Sequence, residues 1–125
     1  DLMVDIPAIT ADRSVREAAN LLVSERSSIL GVITPSGELV GVITEWDITR
    51  ATALGSPDSQ PLERIMTRKV ITASPADTIL EMIRKLEYHE ISAMPVVDEG
   101  IVAGMITADL LAKRSLLRLL QSQVA

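Results

Sequence analysis

The sequence of 125 residues has no cysteine and no phenylalanine, and it has one histidine, one tryptophan and one tyrosine. The absence of cysteine excludes disulfides and thiolate metal sites, and it fits a reducing compartment. No apolar run approaches the ~18 residues of a membrane span and no signal peptide is visible, so we expect a cytoplasmic protein without membrane insertion. The hydrophobic residues, 47% of the chain, are expected to form an aliphatic core.

Positive charge is also scarce, since 12 Lys and Arg stand against 17 Asp and Glu and the formal net charge is −5. Nucleic-acid binding normally needs a basic stripe, and the only basic cluster is Lys113, Arg114 and Arg118, so we expect no nucleic-acid partner. His89 has no second metal ligand near it in the sequence and is expected to end a helix. The scattered carboxylates form no catalytic pair, so we expect no enzyme.

Two halves of the chain carry the same patterns. Residues 14–17 read Ser-Val-Arg-Glu and residues 78–81, 64 positions later, read Thr-Ile-Leu-Glu. Both match the capping box that starts a helix, and apolar residues follow at helical spacing. Residues 41–44 (Gly-Val-Ile-Thr) recur 63 positions later as residues 104–107 (Gly-Met-Ile-Thr). This repeat indicates two similar halves about a pseudo-two-fold axis, with a cleft between them as a natural ligand site.

The coarse pattern of each half is β-α-β-β-α, which predicts an α/β (α+β) fold of two packed repeats. The first repeat spans residues 1–54, the linker 55–61 is dense in turn formers, and the second repeat with a C-terminal helix spans 62–125. The predicted helices are 14–25, 44–54, 77–88 and 108–121, and the predicted strands, after an extended segment 1–9, are 29–33, 39–43, 70–71, 93–97 and 101–106.

This order of elements resembles a tandem pair of CBS domains, the Bateman module. Residues 92–98 (Ser-Ala-Met-Pro-Val-Val-Asp) resemble the family's S-A-L-P-V-V-D strand, residues 104–107 its G-h-I-T, and residues 65–67 (Ile-Met-Thr) precede the first strand as they do there. The resemblance implies a regulatory sensor. Its expected ligand is adenosine-containing, AMP-like first and otherwise ADP, ATP or S-adenosylmethionine, and none is an obligatory cofactor.

The resemblance also implies the site residues. The family's pattern G-h-h-T/S-x-x-D is matched by Gly41, Ile43, Thr44 and Asp47. In the family, the carboxylate accepts hydrogen bonds from the ribose hydroxyls. The hydroxyl residue lies at a helix N-terminus, which favours anions. The purine walls come from the other copy. Carried over by position, they are Val70, Ile71, Thr72, Ala93, Met94 and Pro95.

The second copy departs from this pattern. Asp109 follows Thr107 by two residues instead of three, and Leu110 takes the expected place of the carboxylate. One residue rotates a side chain on a helix by about 100°, so we expect one working cleft, the one with Asp47. No Arg or Lys stands at the matched positions, whereas Glu45 does, so a monophosphate or a neutral or cationic adenosine derivative is favoured over a triphosphate.

Other interpretations remain open. Asp47 is either a ribose acceptor or only a helix-start carboxylate, and Trp46 is either a ligand contact or a dimer anchor. The leucine-rich tail packs on its own core or on a twin subunit, or lies on a membrane surface. We expect a homodimer and an attached or separate effector, and the start at Asp1 fits a piece of a longer protein. The alternative function is a ligand-free structural module that dimerises proteins.

Overall fold

Helices and strands follow one another nearly in the predicted order. The computed structural model describes residues 2–55 and 60–122. Its elements are β1 (Ala8–Thr10), α1 (Val15–Ser24), β2 (Ile29–Ile33), β3 (Leu39–Thr44), α2 (Glu45–Leu54), α3 (Leu62–Ile65), α4 (Ile79–His89), β4 (Ala93–Asp98), β5 (Ile101–Thr107) and α5 (Ala108–Ser122).

Both predicted capping boxes are present. Ser14 Oγ accepts a hydrogen bond from the Glu17 N–H at 3.1 Å, and Thr78 Oγ1 accepts one from the Glu81 N–H at the same distance. Each glutamate carboxylate accepts the N–H of its hydroxyl residue in return. These bonds satisfy N–H groups that a helix start leaves unpaired, which fixes where α1 and α4 begin.

The first half forms the predicted β-α-β-β-α unit. Its sheet has the order β1-β2-β3, with β1 parallel to β2 and β2 antiparallel to β3. Val15, Ala18 and Leu22 on α1 are buried against this sheet, as the helical spacing predicts. The mixed α/β class with two repeats is therefore confirmed.

The second half lacks one predicted strand. β4 pairs antiparallel with β5, but residues 70–71 form no strand, and only Ala73 makes a parallel bridge, to Val96. Pro95 supplies the reason, because it stands where the first half has Gly31, whose N–H donates to the Pro7 carbonyl oxygen at 2.9 Å, and proline has no N–H to donate to the neighbouring segment. The helix α3 was not predicted, since four residues are too few to show a helical period.

Each half is completed by the segment that precedes the other. Val4 pairs with Met105 of β5 through hydrogen bonds of 3.0 and 2.8 Å. Thr67 pairs with Val42 of β3 through bonds of 2.9 and 2.8 Å. The two pairs are related by the same shift of 63 positions, 4 to 67 and 42 to 105, so they obey the pseudo-two-fold relation of the repeats.

The repeated glycines permit this exchange of segments. A Cβ on Gly41 would lie 2.9 Å from the carbonyl oxygen of Thr67, and one on Gly104 would lie 2.8 Å from that of Val4. Real Cβ atoms do not approach a carbonyl so closely. Glycine in both copies of the 41–44 motif is therefore required by the backbone that passes over it.

Three apolar clusters fill the described part of the molecule. The first half's cluster contains Leu62 and Met66 from beyond the linker, and the second half's cluster is joined by Leu2 and Met3 from the start of the chain. The third cluster lies between the halves. Its members come from both repeats and include Ile29, Val42, Met105, Val70 and Ala93.

Some sequence predictions fall outside the described residues. These are positions 56–59 of the predicted linker 55–61, together with residue 1 and residues 123–125 at the two ends. Within residues 2–55 and 60–122, none of the helices has both the length and the apolar character that crossing a membrane requires.

Candidate functional site

A cavity of about 810 Å³ lies between the two halves. Its wall from the first half comes from β2, β3 and the first turns of α2. Its wall from the second half comes from the segment 67–71 and from the junction of α4 with β4. The lining residues are Ser28, Ile29, Val42, Thr44, Glu45, Trp46, Thr49, Thr67, Lys69, Val70, Ile71, Glu90, Ile91, Ser92, Ala93 and Pro95.

Five of the nine residues predicted for the site line this cavity: Thr44, Val70, Ile71, Ala93 and Pro95. Ile43 and Met94 do not, because both are fully buried in the two cores. Successive side chains of a strand point to opposite faces. Alternate residues of β3 and β4 therefore face the cleft, while Ile43 and Met94 support those strands from behind.

Thr72 lies outside the cavity lining, beside Arg68 and Val97 in a separate shallow depression. Its carbonyl oxygen accepts a hydrogen bond from Lys85 Nζ at 2.8 Å, and the same ammonium group lies 2.9 Å from Asp77 Oδ2. The Ser74 N–H and then Lys85 lower the pKa of the Asp77 carboxyl below its ordinary value of 3.8. These contacts of Lys85 with Thr72 and Asp77, called the charged brace below, hold the segment that carries Val70 and Ile71 against α4.

Asp47, the ninth residue, lies directly behind the cavity wall. Its carboxylate accepts the Thr44 N–H at 2.9 Å on Oδ2, and its own N–H donates to Thr44 Oγ1, so the pair forms a third capping box. Oδ2 also accepts the Thr67 hydroxyl at 3.4 Å, and Oδ1 accepts Arg50 Nη2 at 2.6 Å. Asp47 thus ties the start of α2 to a segment of the other repeat.

The corresponding place in the second half has different chemistry. Thr107 Oγ1 accepts the Leu110 N–H at 3.0 Å, so Leu110 occupies the position that Asp47 has in the first half. The Asp109 side chain is 76% exposed and pairs with Lys113 at 3.0 Å. The cavity on this side, between Val4 and Arg26, measures about 430 Å³. The two clefts therefore differ in volume and in the presence of a buried carboxylate at the start of the helix, Asp47 in one and Leu110 in the other.

The charges around the larger cavity are mainly acidic. Glu45 and Glu90 line it, and Lys69 is the one cation among the described lining residues. Sequence reasoning missed Glu90 and Lys69, together with Ser28, Thr49 and Ser92. Glu90 ends α4 in the left-handed conformation, with φ of 52°, and such a helix end in a non-glycine residue has no clear sequence signal.

Comparison with known proteins decides the family. The family model described as the CBS domain matches residues 1–54 and again residues 62–116. The chain belongs to the CBS domain family. It carries two CBS domains in tandem, as the resemblance predicted, and the fold is that of a CBS pair.

Solved structures agree with this assignment. The CBS domain pair of protein MJ0100, in complex with 5′-methylthioadenosine and S-adenosyl-L-methionine, is 34% identical with a TM-score of 0.80, and the match covers 90% of each chain. A conserved protein from Pyrococcus horikoshii is also 34% identical, with a TM-score of 0.80, covering 91% of this chain and 88% of that one.

Curated relatives are much longer than this CBS pair. L-aspartate semialdehyde sulfurtransferase from Methanosarcina acetivorans is 38% identical over 115 residues, which is 90% of this chain and 23% of the relative. Homoserine O-acetyltransferase from Methanocorpusculum labreanum is 38% identical over 120 residues, 94% of this chain and 24% of the relative. The CBS pair spans about a quarter of the length of these relatives.

Proposed function

We propose that this CBS pair is a regulatory sensor that binds an adenosine-containing ligand in the cleft of about 810 Å³ between its halves. The observation that carries the proposal is the composition of that cleft. It combines apolar walls from one repeat with a helix start from the other, behind which lies the Asp47 carboxylate. An apolar slot with a few directed polar groups is typical of small-molecule sites.

The proposed roles follow from position. Val70 and Ile71 on one side and Ala93 and Pro95 on the other take the faces of the purine. Asp47 accepts the ribose hydroxyls, since a vicinal diol offers two donors to one carboxylate. Thr44 lies where the 5′ group passes the start of α2.

The charges favour particular ligands. The described lining holds two acidic residues, Glu45 and Glu90, and one cation, Lys69. A triphosphate would bring about four negative charges with little positive charge to pair with them. Adenosine derivatives with a neutral or cationic 5′ group fit better. 5′-Methylthioadenosine and S-adenosylmethionine are such compounds, and the related MJ0100 pair was solved in complex with both. AMP is the next candidate, and ADP and ATP come last.

Regulation would follow from the position of the ligand between the repeats. A ligand that contacts both walls favours the arrangement in which they are closest. It shifts the equilibrium only by its differential affinity for the two arrangements. The change would pass to an attached or separate effector; in the longer relatives, about three quarters of the chain lies outside the matched part.

The test is a calorimetric titration with methylthioadenosine, S-adenosylmethionine, AMP, ADP and ATP, together with thermal unfolding. We expect one site per chain, with the first two ligands the tightest. A ligand at ~100 times its Kd should raise the free energy of unfolding by about 2.7 kcal/mol. Unchanged unfolding with all five would contradict the proposal.

A second candidate, a ligand-free dimerisation module, is favoured by a different observation. Trp46 and Leu54 on α2 are 64% and 82% exposed, and four leucines of α5 are 57–61% exposed. Large exposed apolar surfaces mark interaction sites. If the titrations show no binding while the chain is dimeric in solution, this candidate replaces the first.

A further inference from the structure

The two oxygens of the Asp47 carboxylate have different kinds of partner. Oδ2 is held by the Thr44 N–H at 2.9 Å and the Thr67 hydroxyl at 3.4 Å, and the backbones of both residues are paired with neighbouring segments. Oδ1 is held by Arg50 Nη2 at 2.6 Å. The Asp47 side chain is only 2% exposed. A ribose therefore has no access to Asp47 until one of these partners leaves.

Arg50 is the partner that can leave most easily. Its side chain is 54% exposed, so its guanidinium can exchange the carboxylate for water, and the Asp47 carboxylate then lacks its cation until the ribose hydroxyls replace it. In this same conformation its Cζ lies 6.0 Å from the centroid of the Trp46 ring, one turn earlier on α2, so this contact can still hold the guanidinium when it releases the carboxylate. Trp46 itself lines the cleft.

We propose that Arg50 competes with the ligand's ribose for Oδ1 of Asp47 and so sets the affinity of the cleft, an inference that rests on the proposed adenosine-binding function. In the free protein, the guanidinium donates its hydrogen bond to Oδ1, the oxygen to which the ribose hydroxyls would donate. Binding requires it to move away, and the apparent affinity falls by the fraction of molecules in which Oδ1 is open.

The second repeat offers a matched control. Lys113 stands 63 positions after Arg50, at the same place on α5, and pairs with Asp109. That carboxylate is 76% exposed, and Leu110 stands where a buried carboxylate would be needed. Lys113 therefore has the same helical position and an ion pair, but no ribose acceptor to cover.

The experiment titrates 5′-methylthioadenosine, a neutral ligand, into the wild type, Arg50→Met, Arg50→Lys and Lys113→Met. If Oδ1 is open in about one free wild-type molecule in ten, Arg50→Met should bind the ligand about tenfold more tightly than the wild type. Its unliganded form is expected to melt at a lower temperature, because a buried carboxylate has lost its cation. Arg50→Lys keeps a cation at this position, so its affinity for the ligand should be close to that of the wild type. Lys113→Met leaves the affinity unchanged.

If Arg50 had only a structural role, its replacement would lower both stability and affinity. A lower melting temperature together with a higher affinity therefore indicates competition. The fluorescence of Trp46, the single tryptophan, gives an independent readout. Ligand addition should change the emission of the wild type as the guanidinium moves, and the emission of Arg50→Met should change less.

The outcomes separate this inference from the proposed function. If the wild type binds and Arg50→Met binds equally or more weakly, competition by Arg50 is refuted and the adenosine site stands. Binding by Arg50→Met alone supports competition strongly. If all four proteins are folded and none binds any member of the nucleotide panel, both the adenosine site and the competition are overturned.

Discussion

The carboxylate of Asp47 has two tasks. As the N3 residue of a capping box, it accepts the Thr44 N–H, and as a buried anion it pairs with Arg50. Both tasks are structural and are fulfilled without a ligand. The proposed ribose contact is therefore an additional use of a group that the fold already holds in a defined position, which reduces the cost of ordering it on binding.

The first prediction tests that additional use. Asp47→Asn keeps an oxygen for the Thr44 N–H but removes the charge, so we expect adenosine-ligand binding to weaken by about 1.5–3 kcal/mol, the range for hydrogen bonds to charged groups. Calorimetry measures the affinity, and circular dichroism checks the fold. Asp109→Asn is the control, since that exposed residue should not affect binding. Equal losses in both variants would contradict the assignment.

The second prediction concerns the charged brace behind the cleft wall. The Ser74 N–H and Lys85 lower the pKa of Asp77, so the ionised carboxylate stabilises the fold. This contribution is complete above the ordinary value of 3.8 and is lost as pH falls through the lower folded value. Because Lys85 is partly exposed, the contribution should be about 1 kcal/mol or less.

The prediction is tested by measuring the free energy of unfolding between pH 6 and pH 2, in steps that span the ordinary aspartate pKa of 3.8. Asp77→Asn should be less stable near neutral pH and should lack this part of the acid-side loss. Hydrogen exchange should also be faster at residues 70–72, which the brace holds. An acid-side curve identical to that of the wild type would show that the brace contributes nothing.

At the scale of the elements, glycine decides how closely the exchanged segments approach the strands. The third prediction is that Gly41→Ala and Gly104→Ala each destabilise the fold by about 1–3 kcal/mol, the usual cost of overpacking. The added Cβ would meet a backbone carbonyl at 2.9 or 2.8 Å, which cannot move as a side-chain end does. Denaturant unfolding measures the change.

Gly55→Ala provides the comparison, because a Cβ there would meet nothing within 4 Å. We expect that variant to unfold close to the wild-type denaturant concentration. Similar losses at all three positions would indicate a general cost of replacing glycine, and the argument from close approach would then fail.

Local chemistry explains which elements were predictable. The helices α1 and α4 follow from capping boxes and apolar stripes, signals that lie within about a dozen residues. The missing strand at 70–71 depends on a donor that Pro95 lacks some 25 positions later, and such a dependence is visible only when the partner strand is known.

The candidate site was predictable in part for a related reason. Motif positions predicted Thr44, Ala93 and Pro95, all of which line the cavity. They also included Ile43 and Met94, because contiguous motif residues ignore the alternation of a strand. Glu90 depended on how α4 ends and could not be found from the motifs. Contacts such as Thr67 to Asp47 join distant segments that no local pattern connects.

At the scale of the whole molecule, α2 and α5 expose large apolar side chains of the kind that interfaces usually cover. The fourth prediction is that the chain forms a homodimer through these helices. Leu116, Leu117, Leu119 and Leu120 are each more than half exposed, and a two-fold dimer would cover the same face on both copies. Light scattering should give twice the chain mass of 13.5 kDa at micromolar concentration.

Leu117→Glu with Leu120→Glu places charges on this face and should give a folded monomer. Leu80→Glu, an exposed leucine on α4, is the matched control and should leave the dimer intact. A wild-type mass near 13.5 kDa would count decisively against the dimer.

The exchange of segments between repeats has a consequence for the order of events during synthesis. Val4 leaves the ribosome about a hundred residues before its partner, Met105. Until then Leu2 and Met3 have no apolar cluster to join. Residues 2–4 are therefore among the last parts of the CBS pair to be secured, and the two halves close into one cooperative unit rather than maturing as independent modules.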